Sequence, residues 1–255
     1  MSAHVPSAVS YFHDLAARYD GHYEKVGFNG YALRSRLAAV HRGLGPARGS
    51  VLDAGMGGGR LCAELADAGW EPSGIDPAEA MVEIARARVP AADERLVVGR
   101  LEEIPFPDSS FDAVVATGSL EYADVPRALE ELARVLRPGG CAVVTYPNPE
   151  AWYAYWKTRV YYTLVRAVKR AARRPHADLP RGFGVIPPSR FVPLLSGRGL
   201  APQSVTYTSY APLLTPIDAL LPRLAERLGA ACERRGIWSR RLSTQIVYAA
   251  RKADA

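Results

Sequence analysis

Apolar residues in this chain fall into short runs that alternate with stretches of helical spacing. Val51-Leu52 leads into an acid and a glycine-rich turn, Asp53-Ala54-Gly55-Met56-Gly57-Gly58-Gly59. From residue 60 to 68 the pattern becomes helical. Gly74-Ile75-Asp76-Pro77 reads as a second strand end, with Pro77 at the first position of a helix running to about residue 88. Leu96-Val97-Val98-Gly99 marks a third strand and Phe111 to Ala116 a fourth. A helix over about 125–136 stops at Arg137-Pro138-Gly139-Gly140, because proline cannot continue it and glycine supplies the turn. Cys141 to Tyr146 forms a fifth strand. Strand and helix in alternation predict a parallel sheet covered on both faces.

Beyond the fifth strand the pattern changes. Residues 151–177 hold seven basic side chains and no acid, interleaved with Trp152, Tyr153, Tyr155, Trp156, Tyr161 and Tyr162. At 100° per residue, Trp152, Trp156, Val160, Thr163, Leu164, Ala167 and Ala171 share one face, opposite Arg159, Arg166, Lys169 and Arg173. Lys157 and Arg174 fall on the apolar side and have to snorkel. A basic amphipathic helix of this kind reads either as a lid packed on the domain or as a membrane-surface element. Ser189 is placed to cap a helix over 190–198. Strands over 203–210 and 244–250 flank a helical stretch, 217–235, interrupted near Pro222. The expected fold is therefore α/β: a Rossmann-like, seven-stranded, mostly parallel sheet with helices on both faces, plus a helical lid inserted after strand five. The expected organisation is an N-terminal helical cap (1–45), a nucleotide-binding core (46–150), a lid (151–200) and the C-terminal strands of the same core with an inserted helix (201–255).

The first glycine loop suggests the ligand chemistry. Gly55 and Gly57 can take backbone angles closed to other residues and let a ligand approach the main chain. A helix N-terminus then offers unpaired N–H groups. The dinucleotide pattern G-x-G-x-x-G fails at its last position, where Arg60 stands, and the phosphate-loop ending Gly-Lys-Ser/Thr is absent. Asp53 would repel a pyrophosphate and suits a ligand carrying an ammonium group. Asp76, about 20 residues past the loop, is placed for a ribose diol. Taken singly, each feature has an ordinary structural explanation: a flexible turn, a helix-initiating acid, or, for Met81, core packing.

In order and spacing, VLDAGMGGG, GIDPAEAM, LEEIPFPDSSFDAVVA, SLEY and RVLRPGG resemble the class I S-adenosylmethionine-dependent methyltransferases, and within them the small-molecule group of the quinone-biosynthesis methylases. The resemblance implies S-adenosylmethionine as cofactor. It implies that Asp53 meets the amino group, Gly55 and Gly57 give backbone room, and Asp76 accepts the ribose hydroxyls. Pro77 and Met81 would lie beside the adenosine, with Leu101 offering its N–H to the adenine and Glu102 beside it. Thr117 and Gly118 would lie near the methionine, and Leu120 would line the floor. Tyr11-Phe12-His13-Asp14 and Tyr19-Asp20 resemble the family's leading helix, which makes Tyr11 and Tyr19 candidates for the methionine carboxylate, with core packing an equal alternative. Two positions depart from the pattern. Arg100 stands where the family often has Asp, and Tyr122 stands where it often has His.

The chain has 255 residues, enough for one α/β domain with additions. Its three cysteines, Cys62, Cys141 and Cys232, are scattered without metal-ligand spacing, which suits buried free thiols, a reducing cytoplasm and no metal site. There is no apolar run of membrane-spanning length and no cleavable leader pattern. The net charge of +6 favours anionic partners, expected here as peripheral contact of 151–174 with an anionic membrane rather than nucleic acid. The expected partner in catalysis is a small apolar or aromatic acceptor methylated at oxygen, with nitrogen or carbon as alternatives. A hydroxyl acceptor calls for a base, and the candidates are His176, then His13 and Tyr122. Two rivals belong to other classes. One is an inactive methyltransferase-like membrane or adaptor module, motivated by Arg100 and the absent histidine. The other is a nicotinamide oxidoreductase, which Arg60 and RVLRPGG oppose.

Overall fold

A computed structural model of the chain describes residues 21–165, 185–235 and 239–254. Five strands run parallel: β1 (Ser50–Ala54), β2 (Glu71–Asp76), β3 (Leu96–Val98), β4 (Phe111–Ala116) and β5 (Leu136–Pro147). Two more, β6 (Leu200–Tyr210) and β7 (Ser243–Lys252), complete one sheet of seven in the order β3-β2-β1-β4-β5-β7-β6. β7 lies between β5 and β6 and runs antiparallel to both. The order reverses beside β1, with β2 on one side and β4 on the other. A crevice opens there at the carboxyl ends of the strands.

Six helices of eight residues or more are described: α1 (Phe28–Leu44), α2 (Arg60–Asp67), α3 (Glu79–Arg88), α4 (Val125–Val135), α5 (Pro188–Ser196) and α6 (Pro222–Arg235). Both faces of the sheet are covered. On one, α4 and α5 pack Leu129, Leu132 and Phe191 against Leu52, Val114, Val144 and Tyr248. On the other, α1 and α2 pack Leu37, Val40 and Leu65 against Val51, Val115, Val143 and Val247. Alternate residues of a strand point to opposite faces, which is why Val247 and Tyr248 enter different cores.

Several predicted boundaries shift for identifiable reasons. Pro77 is not the first helical residue: α3 starts at Glu79 with Ala78 as its N-cap. The Asp76 carboxylate takes the Ala78 N–H at 2.9 Å and holds Pro77 in the turn before the helix. Ser189 is not a cap, because α5 begins at Pro188 with Pro187 as N-cap and no side-chain capping bond. Arg137-Pro138-Gly139-Gly140 does turn the chain, but inside β5. Pairing with β4 jumps from Phe111–Leu136 to Ala113–Cys141, and Gly139 takes φ +71° in the bulge. The break near Pro222 is present, between the short helix Ile217–Leu220 and α6.

The basic segment is helical from Trp152, but its turns are not uniform. Trp152–Tyr155 is α-helical, Trp156–Tyr161 is a π turn, and 162–165 is α-helical again. The wider π turn breaks the 100° register. Tyr153 is buried, whereas Trp152 and Leu164, assigned above to the packed face, are exposed. Lys157 does lie partly buried, its ammonium 5.3 Å from the Tyr153 ring centroid. Of the rest of the expected lid, residues 166–184 lie outside the described residues, whereas 185–200 are described and α5 there packs Phe191 and Leu195 into the core. Of the cysteines, Cys62 is buried, and Cys141 and Cys232 are partly buried; all are free.

Candidate functional site

The crevice at the strand-order reversal is a cleft of about 1060 Å³, open to solvent at its mouth. The glycine loop forms its base. Gly55 has φ +85°, and a side chain there would run into Ser119, whose hydroxyl donates to the Ala54 carbonyl at 2.8 Å. Gly59 closes the loop in the left-handed region (φ +72°) as the N-cap of α2. A Cβ on it would sit 2.7 Å from that of Ala85, so glycine lets α2 approach α3. Gly57, with φ +52°, has open space where a Cβ would point.

Two acids stand over this loop. Asp76, at the end of β2, accepts the Gly57 N–H and the Ala78 N–H, each at 2.9 Å, one on each carboxylate oxygen. It thereby fixes the loop and the following turn, and each oxygen keeps a further lone pair. Burial pushes its carboxyl above the usual range, partly offset by those two N–H groups. Asp53, at the end of β1, is almost wholly buried. Among the described residues, its Oδ2 receives only a weak bond from the Cys62 thiol at 3.6 Å, and its Oδ1 accepts no hydrogen bond. Desolvation pushes its carboxyl up to about 7, with the neighbouring Asp76 charge adding to the rise. A buried, unbonded carboxylate oxygen is costly unless a donor or cation completes it.

Most expected site residues meet here. Asp53, Gly55, Gly57, Asp76, Pro77, Met81, Leu101, Glu102, Thr117, Gly118 and Tyr122 all line the cleft. Thr117 Oγ1 is a second buried polar atom without a hydrogen-bond partner among the described residues. The Gly118 N–H is held by Thr145 Oγ1 at 2.9 Å. Glu102 accepts the Asp124 N–H at 2.9 Å and lies 3.8 Å from the Arg100 guanidinium, which also lines the cleft. Leu120 is placed differently from the expectation. It is fully buried in the core with Leu52 and Tyr146, and it is not part of the cleft wall. Tyr11, His13, Tyr19 and His176 lie outside the described residues.

The sequence reading missed several residues. Arg36 on α1 is buried, and its guanidinium lies against Gly118, where a Cβ would meet Nη1 at 2.7 Å. The signal was there: Arg36 sits three residues after Leu33, on the apolar stripe continued by Leu37, Val40 and Leu44. Met56 and Tyr23 also line the cleft. Met56 reaches its position because Gly74, in the middle of β2, has no side chain to meet its sulfur. Arg60, which spoils the dinucleotide fingerprint, lies over the Tyr23 ring at 4.6 Å and bonds Glu64 at 3.2 Å. It therefore forms part of the cleft wall instead of wedging α2 away from the sheet.

The cleft thus offers an acid for a cation, a second acid able to accept hydroxyls, and an apolar slot at Met81 and Leu101, with the Arg36 guanidinium behind Gly118, outside the lining itself. This set fits S-adenosylmethionine, which carries an ammonium, a ribose diol, an adenine and a carboxylate. Residues 52–144 match the family model described as a methyltransferase domain. An uncharacterized methyltransferase of Mycobacterium tuberculosis is 42% identical over 90 residues, 35% of this chain and 36% of the relative. The chain thus spans only about a third of that relative's length. A demethylmenaquinone methyltransferase of Thermus thermophilus is 38% identical over 160 residues, 60% of this chain and 72% of the relative. Among solved structures, an S-adenosylmethionine-dependent methyltransferase of Thermotoga maritima, a possible histamine N-methyltransferase, superposes with a TM-score of 0.61. It is 20% identical, and the match covers 94% of this chain and 97% of that one.

Proposed function

This chain belongs to the class I S-adenosylmethionine-dependent methyltransferases, and on that premise we propose that it methylates a small, apolar or aromatic acceptor at oxygen. One observation supports the cofactor assignment most strongly: the buried, unbonded Oδ1 of Asp53 at the tip of β1, beside the glycine loop. That oxygen is completed by an ammonium group. Asp76 would take the ribose hydroxyls on its remaining lone pairs, and Met81 and Leu101 would flank the adenine. Glu102 would supply the carboxylate that position 100 lacks. Arg36 would pair the methionine carboxylate, a role first sought in Tyr11 and Tyr19.

When bound, the cofactor supplies a methyl group made electrophilic by its sulfonium. The protein's part is to orient the acceptor and exclude water. A hydroxyl acceptor must also lose its proton, and we assign that task first to His176, with His13 and Tyr122 behind it. His176→Ala is expected to lower turnover about a hundredfold while leaving cofactor affinity intact. An unchanged turnover would move the base to one of the other two. A demethylated quinone is the second acceptor reading, favoured by the name of the Thermus relative.

The test has two stages. Calorimetric titration with S-adenosylhomocysteine is expected to show binding, and titration with NADH none. Transfer of labelled methyl from S-adenosylmethionine is then followed across a panel of phenols, quinols and amines. Labelled ethers would support oxygen transfer, and labelled ring carbons would select the quinone reading. Cofactor binding without labelling of any class would overturn the proposed activity.

A further inference from the structure

Helix α6 sorts its charges by side. Both of its carboxylates face the protein. Glu226 pairs with Arg34 at 2.5 Å and accepts the Gly27 N–H at 3.1 Å. Glu233 accepts hydroxyls from Tyr31 at 2.8 Å, Ser35 at 2.6 Å and Thr208 at 3.0 Å. The third acid of this region, Asp218, is buried and bonded to the Tyr153 hydroxyl at 2.9 Å. At 100° per residue the buried Ala225 and Gly229 lie on the same side as Glu226 and Glu233.

The outward side is composed differently. Leu224 and Leu228 are exposed one turn apart. Beside them runs a line of exposed arginines, Arg223, Arg227 and Arg234, at i, i+4 and i+11, and exposed Arg235 ends the helix on the leucine side. The preceding turn extends the apolar surface with Ile217 and Leu220, the latter 75% exposed. The helix after β5 joins this region, since Trp156 Nε1 donates to the Thr215 carbonyl at 2.6 Å. It adds exposed Trp152 and Tyr155, and residues 151–165 contain no acid.

We propose that this outer face of residues 217–235, with the adjoining turn at Trp152 and Tyr155, docks on an anionic lipid bilayer. Each physical requirement is present. Aliphatic side chains stand out where they can enter the acyl boundary, guanidiniums run alongside at headgroup level, and aromatic side chains belong at that interface. Every carboxylate of 211–235 is turned away and engaged, so none repels the headgroups. A folded protein partner with an acidic groove would need the cations as a rim around the apolar centre. Here three of the four run in a line along one side, as a flat charged plane requires, and Arg235 stands only at the helix end. The inference is independent of the reaction. It also moves the expected membrane contact from the outer side of a continuous helix over 151–174 to the face of α6. No helix among the described residues is long and apolar enough to cross a membrane, so the contact is peripheral.

The test is flotation of the full chain with phosphatidylglycerol-rich vesicles and with pure phosphatidylcholine vesicles, at low and high salt. Leu220→Asp with Leu224→Asp, and separately Arg223→Glu with Arg227→Glu, remove the two components of the face. None of these residues lines the cofactor cleft, so S-adenosylhomocysteine binding and the melting temperature report whether the fold survives. Leu220→Ser alone is the fallback if either double variant unfolds. The wild type is expected to float with the anionic vesicles at low salt only. The double variants are expected to lose partitioning about tenfold or more, with cofactor binding unchanged. Failure of the wild type to float on anionic vesicles would overturn the proposal, as would variants that float like the wild type. A dimer in solution that Leu220→Asp dissociates would also overturn it, by giving the face to a second copy.

Discussion

Asp53 and Asp76 do different work although both are buried at the ends of neighbouring strands. Asp76 is engaged by two backbone N–H groups, so Asp76→Ala should loosen the loop as well as unpair the ribose. We expect S-adenosylhomocysteine affinity to fall by about 1–3 kcal/mol, with a smaller loss of melting stability. Calorimetry showing unchanged affinity would refute the ribose contact. Asp53 has a linkage signature instead. In the unfolded chain a carboxylate loses its proton near pH 4. In the fold Asp53 keeps it to about 7. Between those values the native state binds more protons, so stability falls as pH rises through the window and levels off above it. Asp53→Asn should remove that slope. The variant should gain on the wild type from pH 4 to 7, by up to ~4 kcal/mol at ~1.4 kcal/mol per pKa unit. Urea unfolding at pH 5 and pH 8 checks this. Cofactor binding should move the opposite way. An ammonium favours the charged carboxylate, so wild-type affinity should rise with pH up to about 7 with proton release, measurable by titration in buffers of different ionisation heat. Asp53→Asn should bind weakly at every pH.

At the scale of elements, Gly59 joins the loop to α2 and sets how close α2 comes to α3. Gly59→Ala meets both a left-handed backbone angle and an Ala85 Cα 2.9 Å from the new methyl. The strain alone costs about 1–2 kcal/mol, and separating the helices would weaken cofactor binding beyond that. Gly199→Ala is the control, with φ +72° but nothing near its would-be methyl. If both variants lose equal stability and neither loses affinity, the close approach at Gly59 has no role. The loop carrying Leu101 and Glu102 is held by α4, where Arg134 bonds the Ile104 and Phe106 carbonyls at 2.9 Å each and pairs with Glu131 and Asp108 at 2.7 Å each. Elements of this kind were legible where the chemistry is local. A strand, an acid and glycines in sequence announce β1 and its loop, and the five strands from 50 to 147 follow from alternation and turn residues. The features that were not legible depend on remote partners. Leu120 looks like a floor residue until Leu52 and Tyr146 enclose it. A π turn hides in a sequence of ordinary helix formers. Nothing local in 217–235 signals that Glu226 and Glu233 turn inward, because Arg34, Tyr31 and Ser35, which draw them there, lie some 190 to 200 residues earlier.

At the scale of the molecule, the region matched by the family model, 52–144, is not a self-sufficient body. It ends before β6 and β7, yet β7 pairs with β5 over seven residues, Cys141 to Pro147. Ile246, Tyr248 and Ala250 complete one core, and Val247 and Ala249 complete the other. Helix α1, which comes before the matched region, supplies Leu37, Val40 and Leu44 to the second core, Leu37 also to the cleft wall, and Arg36 behind Gly118. A fragment of residues 46–150 would therefore expose the long edge of β5 and the inner faces of both cores, a surface prone to aggregation. Burying a single large aliphatic side chain is worth ~1.5–3 kcal/mol. The five large aliphatics among the residues named above, Ile246, Val247, Leu37, Val40 and Leu44, are together worth about 8–15 kcal/mol, as much as the ~5–15 kcal/mol that holds a domain of this size together. We expect the 46–150 fragment to unfold without a cooperative transition and to bind no S-adenosylhomocysteine, although it holds Asp53, Asp76 and the whole glycine loop. Far-ultraviolet circular dichroism on heating, with calorimetry alongside, decides it. Cooperative melting together with cofactor binding would mean that the central five strands carry the site by themselves, and that the first and last segments serve only the acceptor side.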